Sequence, residues 1–240
     1  MCHSDDSRPP SAVGAGTAGK SGPLTLQAKD GNTLLAFEAR AGEPTGAGIV
    51  ILPDVRGLHE FYRQLAVRFA EVGIDAVAID YFGRTVETDD RSEAFEFRPH
   101  VDMTTPRGVQ ADVQAAVEQL RRQGASAVFT VGFCFGGGYS WRQSADTDGL
   151  AGCIGCYGRP ASALEVVEDF KAPLLMLVAG ADANIPVESV RELADRATVE
   201  TDFVVFDGAP HSFFDRTADE HAAAADEAWT RLRRFVQKHS

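Results

Sequence analysis

The chain has 240 residues, of which 44% are hydrophobic and 24% are charged, which is ordinary for a globular protein. Its net charge of −12 argues against nucleic acid or an anionic membrane as a partner, because both repel an acidic surface. No apolar stretch reaches the roughly 20 residues of a membrane-spanning helix, and no signal peptide is recognisable. We therefore expect a cytoplasmic protein that binds neither nucleic acid nor membrane, in agreement with four cysteines that form no disulfide pattern.

The composition at the beginning of the chain predicts a disordered leader. The first 22 residues are rich in small and polar residues and show no periodic hydrophobic pattern. The total length lies at the upper end of what one α/β domain usually contains. We therefore predict a leader over residues 1–22 and a single folded domain over residues 23–240.

After the leader, short apolar segments alternate with amphipathic ones, which is typical of a mostly parallel sheet covered by helices on both faces. An antiparallel hairpin comes first, over 24–28 and 33–39, because Asp30-Gly31-Asn32 is a turn signal. Further strands are predicted at 48–52, 75–79, 127–131, 150–157, 173–179 and 202–206. Helices are predicted at 60–72, 106–123, from 135 onward, and at 162–169, 186–197 and 217–238.

Residues 81–105 interrupt this alternation, because they are charged, aromatic and aperiodic. A connection of this length inside a compact domain tends to be a lid or a binding segment. We predict that it contributes to a ligand site.

The sequence Gly-Phe-Cys-Phe-Gly-Gly-Gly at 132–138 directly follows the strand predicted at 127–131. A sharp turn from strand to helix leaves no room for side chains on either side, and Gly132 and Gly136 meet that requirement. The turn presents its central residue at the carboxyl edge of the sheet, beside the free N–H groups that begin a helix. Cys134 is therefore the candidate nucleophile, and a buried structural cysteine in a Gly-rich turn is the alternative.

A cysteine nucleophile needs a base and a group that orients the base. Asp182 follows the strand predicted at 173–179, and His211 follows the one at 202–206. Because parallel strands end at one edge of a sheet, we expect both side chains beside Cys134. Each residue alone is more typical of a turn or a solvated loop. The order nucleophile, acid, histidine is that of the α/β-hydrolase triad, however, and it predicts a catalytic Cys-His-Asp triad.

With these motifs the chain resembles the dienelactone hydrolases, the cysteine-dependent members of the α/β-hydrolase fold. The resemblance covers about residues 24–238 and depends on four short motifs. They are Gly-Phe-Cys-Phe-Gly-Gly at 132–137, Gly180-x-Asp182, Gly208-x-x-His211-Ser212-Phe213 and Pro53-Asp54-Val55-Arg56-Gly57. The resemblance implies an α/β-hydrolase fold, with a mostly parallel central sheet, an N-terminal antiparallel hairpin and helices on both faces.

The resemblance also implies a catalytic role for Asp54. In the family a carboxylate here pairs with the resting cysteine thiol and moves away when substrate binds. The family usually has Glu, so the side chain of Asp54 is one methylene shorter, and its contact with Cys134 could be lost, bridged by water or recovered by a backbone shift. A carboxylate raises the pKa of a nearby thiol whereas an imidazolium lowers it, so Asp54 and His211 are expected to set the reactivity of Cys134. A plain turn residue is the alternative.

Two further sets of site residues are expected. The resemblance implies an oxyanion hole at the backbone N–H groups of Phe135 and Val55, and an N–H group at the start of a helix has no intrahelical partner. The candidates for binding a substrate carboxylate are arginines, whose guanidinium forks suit that group. They are Arg98, Arg216, Arg84 and Arg91. For each, an ordinary surface arginine is the alternative.

Cys153-Ile154-Gly155-Cys156 invites a redox or metal interpretation, but no second pair of metal ligands completes it, and packing in a buried strand is favoured. We expect no metal and no organic cofactor.

The sequence thus predicts a hydrolase that cleaves a small lactone or ester, of the dienelactone or carboxymethylenebutenolide type, through a thioester on Cys134. His211, oriented by Asp182, is expected to hold the thiolate and then to activate water. Two alternatives stay open: a broad-range carboxylesterase, and a non-catalytic ligand sensor with Cys134 as a reactive thiol. We expect a small-molecule ligand and a monomer or small homo-oligomer.

Overall fold

The computed structural model of the protein describes residues 3–11, 15–86, 88–215, 217 and 219–240. The strands are β1 (Ala18–Gln27), β2 (Thr33–Ala41), β3 (Ala47–Leu52), β4 (Asp75–Ile79), β5 (Ala127–Phe133), β6 (Gly152–Cys156), β7 (Leu174–Ala179) and β8 (Thr201–Phe206). They form one eight-stranded sheet in the order β1-β2-β4-β3-β5-β6-β7-β8. The pairs β1/β2 and β2/β4 are antiparallel, and all other neighbours are parallel.

Helices cover both faces of this sheet. They are α1 (Glu60–Glu71), α2 (Arg98–Met103), α3 (Pro106–Arg122), α4 (Phe135–Asp146), α5 (Ala161–Leu164), α6 (Val187–Arg196) and α7 (Ala222–His239). Buried side chains of α1 and α7 join one hydrophobic cluster, and those of α3, α4 and α6 join another. Within the described residues, no helix combines the length and the apolar composition needed to cross a bilayer.

Strand β3 shows why both faces are covered. All of its residues are buried. Because successive side chains of a strand point to opposite faces, Ile49 and Ile51 pack into the cluster of α1 and α7, whereas Val50 and Leu52 pack into that of α3, α4 and α6. The predicted fold class, a mostly parallel sheet with an N-terminal antiparallel hairpin and helices on both faces, is confirmed.

The parallel part of the sheet brings distant loops together. Strands β3, β5, β6, β7 and β8 run in the same direction, so the loops after them leave the sheet at one edge. Strand β5 lies between β3 and β6. The loop after β5 is therefore flanked on both sides by other loops of this edge.

The beginning of the chain differs from the prediction of a disordered leader over residues 1–22. Strand β1 starts at Ala18, inside that range. Residues 3–11 pack against the domain, with His3 and Ser7 buried. The prediction depended on hydrophobic periodicity, whereas backbone pairing and isolated polar contacts need no such pattern.

Three other segments differ locally from the predicted elements. Residues 81–105 are not irregular throughout, because they contain a 3-10 turn at Tyr81–Arg84 and helix α2. The helix predicted over 162–169 is divided between α5 and a second 3-10 turn. The last helix, predicted over 217–238, begins only at Ala222.

Candidate active site

The turn between β5 and α4 holds Cys134 in a strained backbone conformation. Cys134 has φ 53° and ψ −111°, a combination that L-residues rarely adopt and that is concentrated at functional sites. Its N–H donates to the carbonyl oxygen of Cys156 at 3.0 Å, which ties the turn to β6. The side chain is partly exposed. The turn therefore presents the Cys134 thiol at the carboxyl edge of the sheet.

Glycines on both sides make this turn possible. A Cβ atom on Gly132 would lie 1.9 Å from the carbonyl oxygen of Gly136, and a Cβ atom on Gly136 would lie 2.2 Å from that of Leu52. Both distances are far below van der Waals contact, and backbone atoms cannot move aside as a flexible side chain can. Strand β5, helix α4 and strand β3 approach one another this closely because these positions carry no side chain.

His211 and Asp182 form a short hydrogen bond at the same edge. The Nδ1 atom of His211 lies 2.5 Å from Oδ2 of Asp182. The other carboxylate oxygen of Asp182 accepts from the backbone N–H groups of Asn184 at 2.8 Å and Ile185 at 3.1 Å. These two bonds fix the carboxylate, so Oδ2 is held in place to orient the imidazole ring.

Cys134 completes this chain of contacts, because its side chain hydrogen-bonds with His211. Burial disfavours the imidazolium form of His211, but the hydrogen bond and charge of Cys134, followed by those of Asp182, raise its pKa to about 9. An imidazolium in contact with the thiol in turn favours the thiolate. The structure thus brings together the three residues that the sequence singled out as a triad.

A cavity of about 700 Å³ opens at Cys134 and His211. Most of its other lining residues are apolar or aromatic. The full set is Val55, Phe97, Val101, Cys134, Phe135, Tyr139, Arg159, Ala161, Ser162, Asn184, Ile185, His211 and Ser212. Phe97 and Val101 belong to the 81–105 segment, so this segment forms part of the wall. A cavity of this size suits a small organic molecule.

Two backbone N–H groups are available beside the thiol. Val55 follows β3 and Phe135 begins α4, and both residues line the cavity. Among the described residues, none accepts a hydrogen bond from either N–H group. Free backbone donors next to a nucleophile can stabilise the negative charge that develops on an attacked carbonyl oxygen.

A sequence model of the dienelactone hydrolase family matches residues 37–240. The chain belongs to the dienelactone hydrolase family. The hydrolase activity class and the family predicted from the sequence motifs are confirmed. The match begins at residue 37, so the segment before that residue lies outside the matched region.

The names of individual relatives agree with this family assignment. A protein of Escherichia coli K12 named "Putative carboxymethylenebutenolidase" is 26% identical over 227 residues, which cover 87% of this chain and 84% of that protein. A Bradyrhizobium protein named "Probable 2-oxo-3-(5-oxofuran-2-ylidene)propanoate lactonase" is 27% identical, over 88% of this chain and 91% of its own.

The fold has a close counterpart among solved structures. The crystal structure titled "Putative Dienelactone Hydrolase" from Klebsiella pneumoniae superposes with a TM-score of 0.77. It is 26% identical and covers 91% of this chain and 99% of its own. The α/β-hydrolase fold predicted from the sequence is confirmed.

In the hydrolase, Asp54 is fully buried and has partners of its own. One carboxylate oxygen accepts from the N–H of Arg56 at 2.9 Å, and the other lies 3.4 Å from Nε2 of His59. Burial raises the pKa of Asp54, but the hydrogen bond and charge of His59, together with smaller contributions of His3 and the N–H of Arg56, hold the pKa below its ordinary value. A resting pair between Asp54 and the thiol of Cys134 stays a prediction.

Two of the arginines predicted to bind substrate are neutralised elsewhere. Arg84 forms ion pairs with Asp30 and Asp112, both at 2.7 Å. Arg91 is buried and forms an ion pair with Asp80 at 2.8 Å. Neither lines the cavity. Neither placement supports the predicted role in substrate binding, because a guanidinium already paired with a carboxylate inside the protein has less attraction left for a substrate anion.

Of the other two predicted arginines, one lies outside the cavity wall and the other outside the described residues. Arg98 is exposed, with its guanidinium 5.9 Å from the ring centre of Phe97, and it does not line the cavity. Arg216 lies outside the described residues. The position of Arg98 therefore does not support a role in substrate binding, and the role of Arg216 stays a prediction.

The arginine that does line the cavity is one that sequence reasoning missed. Arg159 follows β6 after a Tyr-Gly pair, is exposed, and stands in the wall of the cavity. No carboxylate of the described residues lies within ion-pair distance of it. The available signal was its position, because β6 ends at the same edge as the strands before Cys134, Asp182 and His211.

Two buried tyrosines, also missed from the sequence, hold the loop that carries Val55. The hydroxyl group of Tyr62 accepts from the N–H of Asp54 at 3.1 Å. The hydroxyl group of Tyr81 donates to the carbonyl oxygens of Pro53 and Asp54, the latter at 3.1 Å. Hydrogen bonds from a side chain to a backbone segment far away in the chain produce no sequence motif, so these contacts could not be predicted.

The Cys-x-x-Cys pair lies in β6 and does not join the site. Cys153 packs into the hydrophobic cluster of α3, α4 and α6, whereas Cys156 packs into that of α1 and α7. Burial raises the pKa of Cys153 to about 12, and it raises that of Cys156 as well. The two thiols therefore face opposite sides of the sheet and have no tendency to ionise.

Proposed function

We propose that the protein hydrolyses a small lactone or ester through a thioester on Cys134, with His211 as the acid and base and Asp182 as its orienting group. The observation that carries this proposal is the continuous chain of hydrogen bonds from Cys134 through His211 to Asp182, which opens into a cavity beside two free N–H groups. The family membership of the chain supports it.

In acylation, the thiolate of Cys134 attacks the carbonyl carbon, and the oxyanion receives hydrogen bonds from the N–H groups of Val55 and Phe135. Collapse of this intermediate breaks the bond to the alkoxy oxygen, which takes the proton of the His211 imidazolium. The products of this half are a thioester and an alcohol, which stays attached to the acyl chain if the substrate is a lactone.

In deacylation, neutral His211 removes a proton from water as the oxygen attacks the thioester carbonyl. The thiolate of Cys134 leaves, and the carboxylic acid product gives up its proton. The ion pair of Cys134 and His211 is then restored. Asp54 contributes in this proposal by shaping the turn that contains Val55, because its carboxylate accepts from the N–H of Arg56.

The walls of the cavity favour a substrate with a flat apolar part and a carboxylate. Phe135 and Tyr139 supply aromatic surface, and Arg159 supplies a guanidinium that no described carboxylate neutralises. A lactone with a conjugated carboxylate, of the carboxymethylenebutenolide type, has both parts. The name of the Bradyrhizobium relative also describes a lactonase of a furanylidene propanoate.

The direct test compares a dienelactone with p-nitrophenyl acetate as substrates of the purified protein. We expect kcat/KM for the dienelactone to exceed that for the neutral ester. The second candidate function is that of a broad-range carboxylesterase, which the mostly apolar cavity wall favours. Rapid turnover of p-nitrophenyl acetate alone would support this second candidate and contradict the lactonase assignment.

Replacing Arg159 by Ala is expected to lower kcat/KM for a carboxylate-bearing lactone by about 10-fold, because one charge-assisted hydrogen bond at a partly solvated site is lost. The effect is expected in KM, with kcat/KM for p-nitrophenyl acetate unchanged within about twofold. Steady-state kinetics on both substrates measure it. If Arg98→Ala lowers the preference for the anion and Arg159→Ala does not, the assignment to Arg159 is wrong.

The pKa of His211 predicts the alkaline limit of activity. At about 9, this pKa keeps the imidazolium protonated through neutral pH, and the protonated form is needed to release the alcohol. We therefore expect kcat/KM to fall as the pH rises through about 9. The measurement is a pH-rate profile from pH 6 to 10.5 with a phenyl ester, corrected for spontaneous hydrolysis; an activity that keeps rising to pH 10.5 contradicts it.

A further inference from the structure

Residues 3–8, named the N-terminal strap below, lie against the loops that carry the candidate active site. The ring of His3 is buried and stacks on that of Phe61, with ring centres 3.8 Å apart and planes 10° from parallel. Its Nε2 atom lies 3.0 Å from the hydroxyl group of Tyr157. Burial lowers the pKa of His3 to about 4, so the ring is neutral at neutral pH.

Tyr157 connects His3 to the catalytic histidine. It follows β6 directly and has a positive φ of 40°, a conformation that costs energy for a non-glycine residue and persists only where packing enforces it. The ring of Tyr157 contacts that of His211 edge-on, with ring centres 5.0 Å apart. Tyr157 therefore packs against the ring of His211, while its hydroxyl group is bonded to the strap.

A second contact of the strap reaches the oxyanion loop. Arg56, the residue after Val55, has a fully buried side chain, and its terminal nitrogen Nη1 lies 2.9 Å from Oδ1 of Asp5. Among the described residues, Asp5 is the carboxylate that pairs with this guanidinium. A buried charge that lacks its partner strongly destabilises the fold. The ion pair with Asp5 therefore holds the side chain of Arg56 in place, and with it the adjacent backbone.

Further contacts tie the strap to the loop after His211 and to the 81–105 segment. The N–H of Arg8 donates to Oδ1 of Asp215 at 3.0 Å, and the side chain of Ser7 also bonds to Asp215. The N–H of Asp5 donates to Oε1 of Glu93 at 2.9 Å. Four loops that are far apart in the chain thus share the strap as a common partner.

We propose that the strap is part of the catalytic apparatus and that His3 and Asp5 are positioning residues. His3 acts through Tyr157 on His211, and Asp5 acts through Arg56 on the N–H of Val55. The inference rests on the proposed function. The strap precedes the region that the family model matches, which begins at residue 37.

Loops at a sheet edge are drawn from the less stable parts of a fold, and catalytic geometry tolerates little displacement. We expect His3→Phe, which keeps a ring stacked on Phe61 but removes the bond to Tyr157, to lower kcat about 3- to 10-fold with KM unchanged within twofold. Tyr157→Phe removes the same bond without adding bulk. The double variant should lose no more activity than either single one, because all three lack the same bond.

Asp5→Asn is compared with Asp6→Asn as a matched control. Asp6 is the next residue, is exposed, and forms no hydrogen bond or ion pair with any residue that the structure describes. Both changes remove one negative charge from the strap. We expect Asp5→Asn alone to lower kcat by at least about threefold.

The rate at which iodoacetamide alkylates Cys134 is measured on every variant, since it reports the Cys134–His211 pair without any ester. A fall in kcat and in alkylation rate at an unchanged unfolding temperature supports the proposal. If the strap variants unfold at lower temperature but keep both rates within twofold, the strap is only structural and the proposal is wrong. A wild-type protein that is alkylated at Cys134 but hydrolyses no ester refutes the proposed function, and the alkylation rates then still decide on His3 and Asp5.

Discussion

Replacing Cys134 by Ala is expected to lower kcat for the preferred lactone or ester at least about 10⁴-fold, because the covalent route is lost entirely. What remains is binding in the cavity and the two N–H groups of Val55 and Phe135, which can polarise a carbonyl but cannot attack it. Steady-state kinetics on purified protein measure the loss. In the unchanged protein, mass spectrometry after rapid acid quenching should show an acyl adduct on the peptide that contains Cys134.

The matched control is Cys153→Ala, which removes a thiol that is buried, has a raised pKa and lies away from the cavity. It is expected to cost some stability through a small cavity and to leave kcat unchanged within about twofold. Cys134→Ser keeps the shape of the turn and is also expected to lose most activity. Hydrolysis at the original rate in both Cys134 variants would exclude the nucleophile role and leave the thiol as a reactive sensor group.

The proximity of the three candidate triad residues could be predicted from the sequence, because one regularity places all of them. Cys134, Asp182 and His211 each follow an apolar strand, and parallel strands of one sheet end at the same edge. The turn at Cys134 adds a local requirement, since Gly132 and Gly136 stand where any side chain would strike backbone. Short-range pattern and sheet topology are enough for this part of the site.

The arginines could not be predicted in the same way. Arg84 looks like a substrate ligand in the sequence, but its partners Asp30 and Asp112 come from the first hairpin and from α3. Only the packing of these elements shows that its charge is already satisfied. For Arg159 the difficulty is the opposite one: no motif marks it, its position after β6 indicates only the right edge of the sheet, and the shape of the cavity shows that it lines the site.

The strap shows that hydrophobic periodicity does not detect every ordered segment of a chain. Residues 3–8 have no hydrophobic pattern, so composition alone predicts disorder. In the structure they are fixed by a stacked ring at His3, an ion pair at Asp5 and a hydrogen bond from the backbone N–H of Arg8 to Asp215. Each contact has its partner far away in the chain, and such contacts are invisible to any local reading of the sequence.

Changing Asp182 to Asn is expected to lower kcat by about 10³-fold, although the two side chains have nearly the same shape. The Oδ1 atom of Asp182 accepts from the N–H groups of Asn184 and Ile185, so an amide here must keep its oxygen toward these donors. Its NH₂ group then faces Nδ1 of His211, which is 2.5 Å from Oδ2 in the unchanged protein. A donor in that position forces Nδ1 to accept, and it opposes the imidazolium form.

Two measurements distinguish this effect from a simple loss of structure. Because Asp182 is one of the groups that raise the pKa of His211 to about 9, its loss should move the alkaline limb of the pH-rate profile below that value. The alkylation rate of Cys134 at neutral pH should fall as well, since a neutral imidazole stabilises the thiolate less. Asp207→Asn is the matched control, because Asp207 is exposed and lies in the loop that leads to His211. An Asp182→Asn protein that keeps the alkaline limb near 9 and loses less than tenfold in kcat would show that His211 is oriented by its other contacts, with the ring of Tyr157 as the first of them.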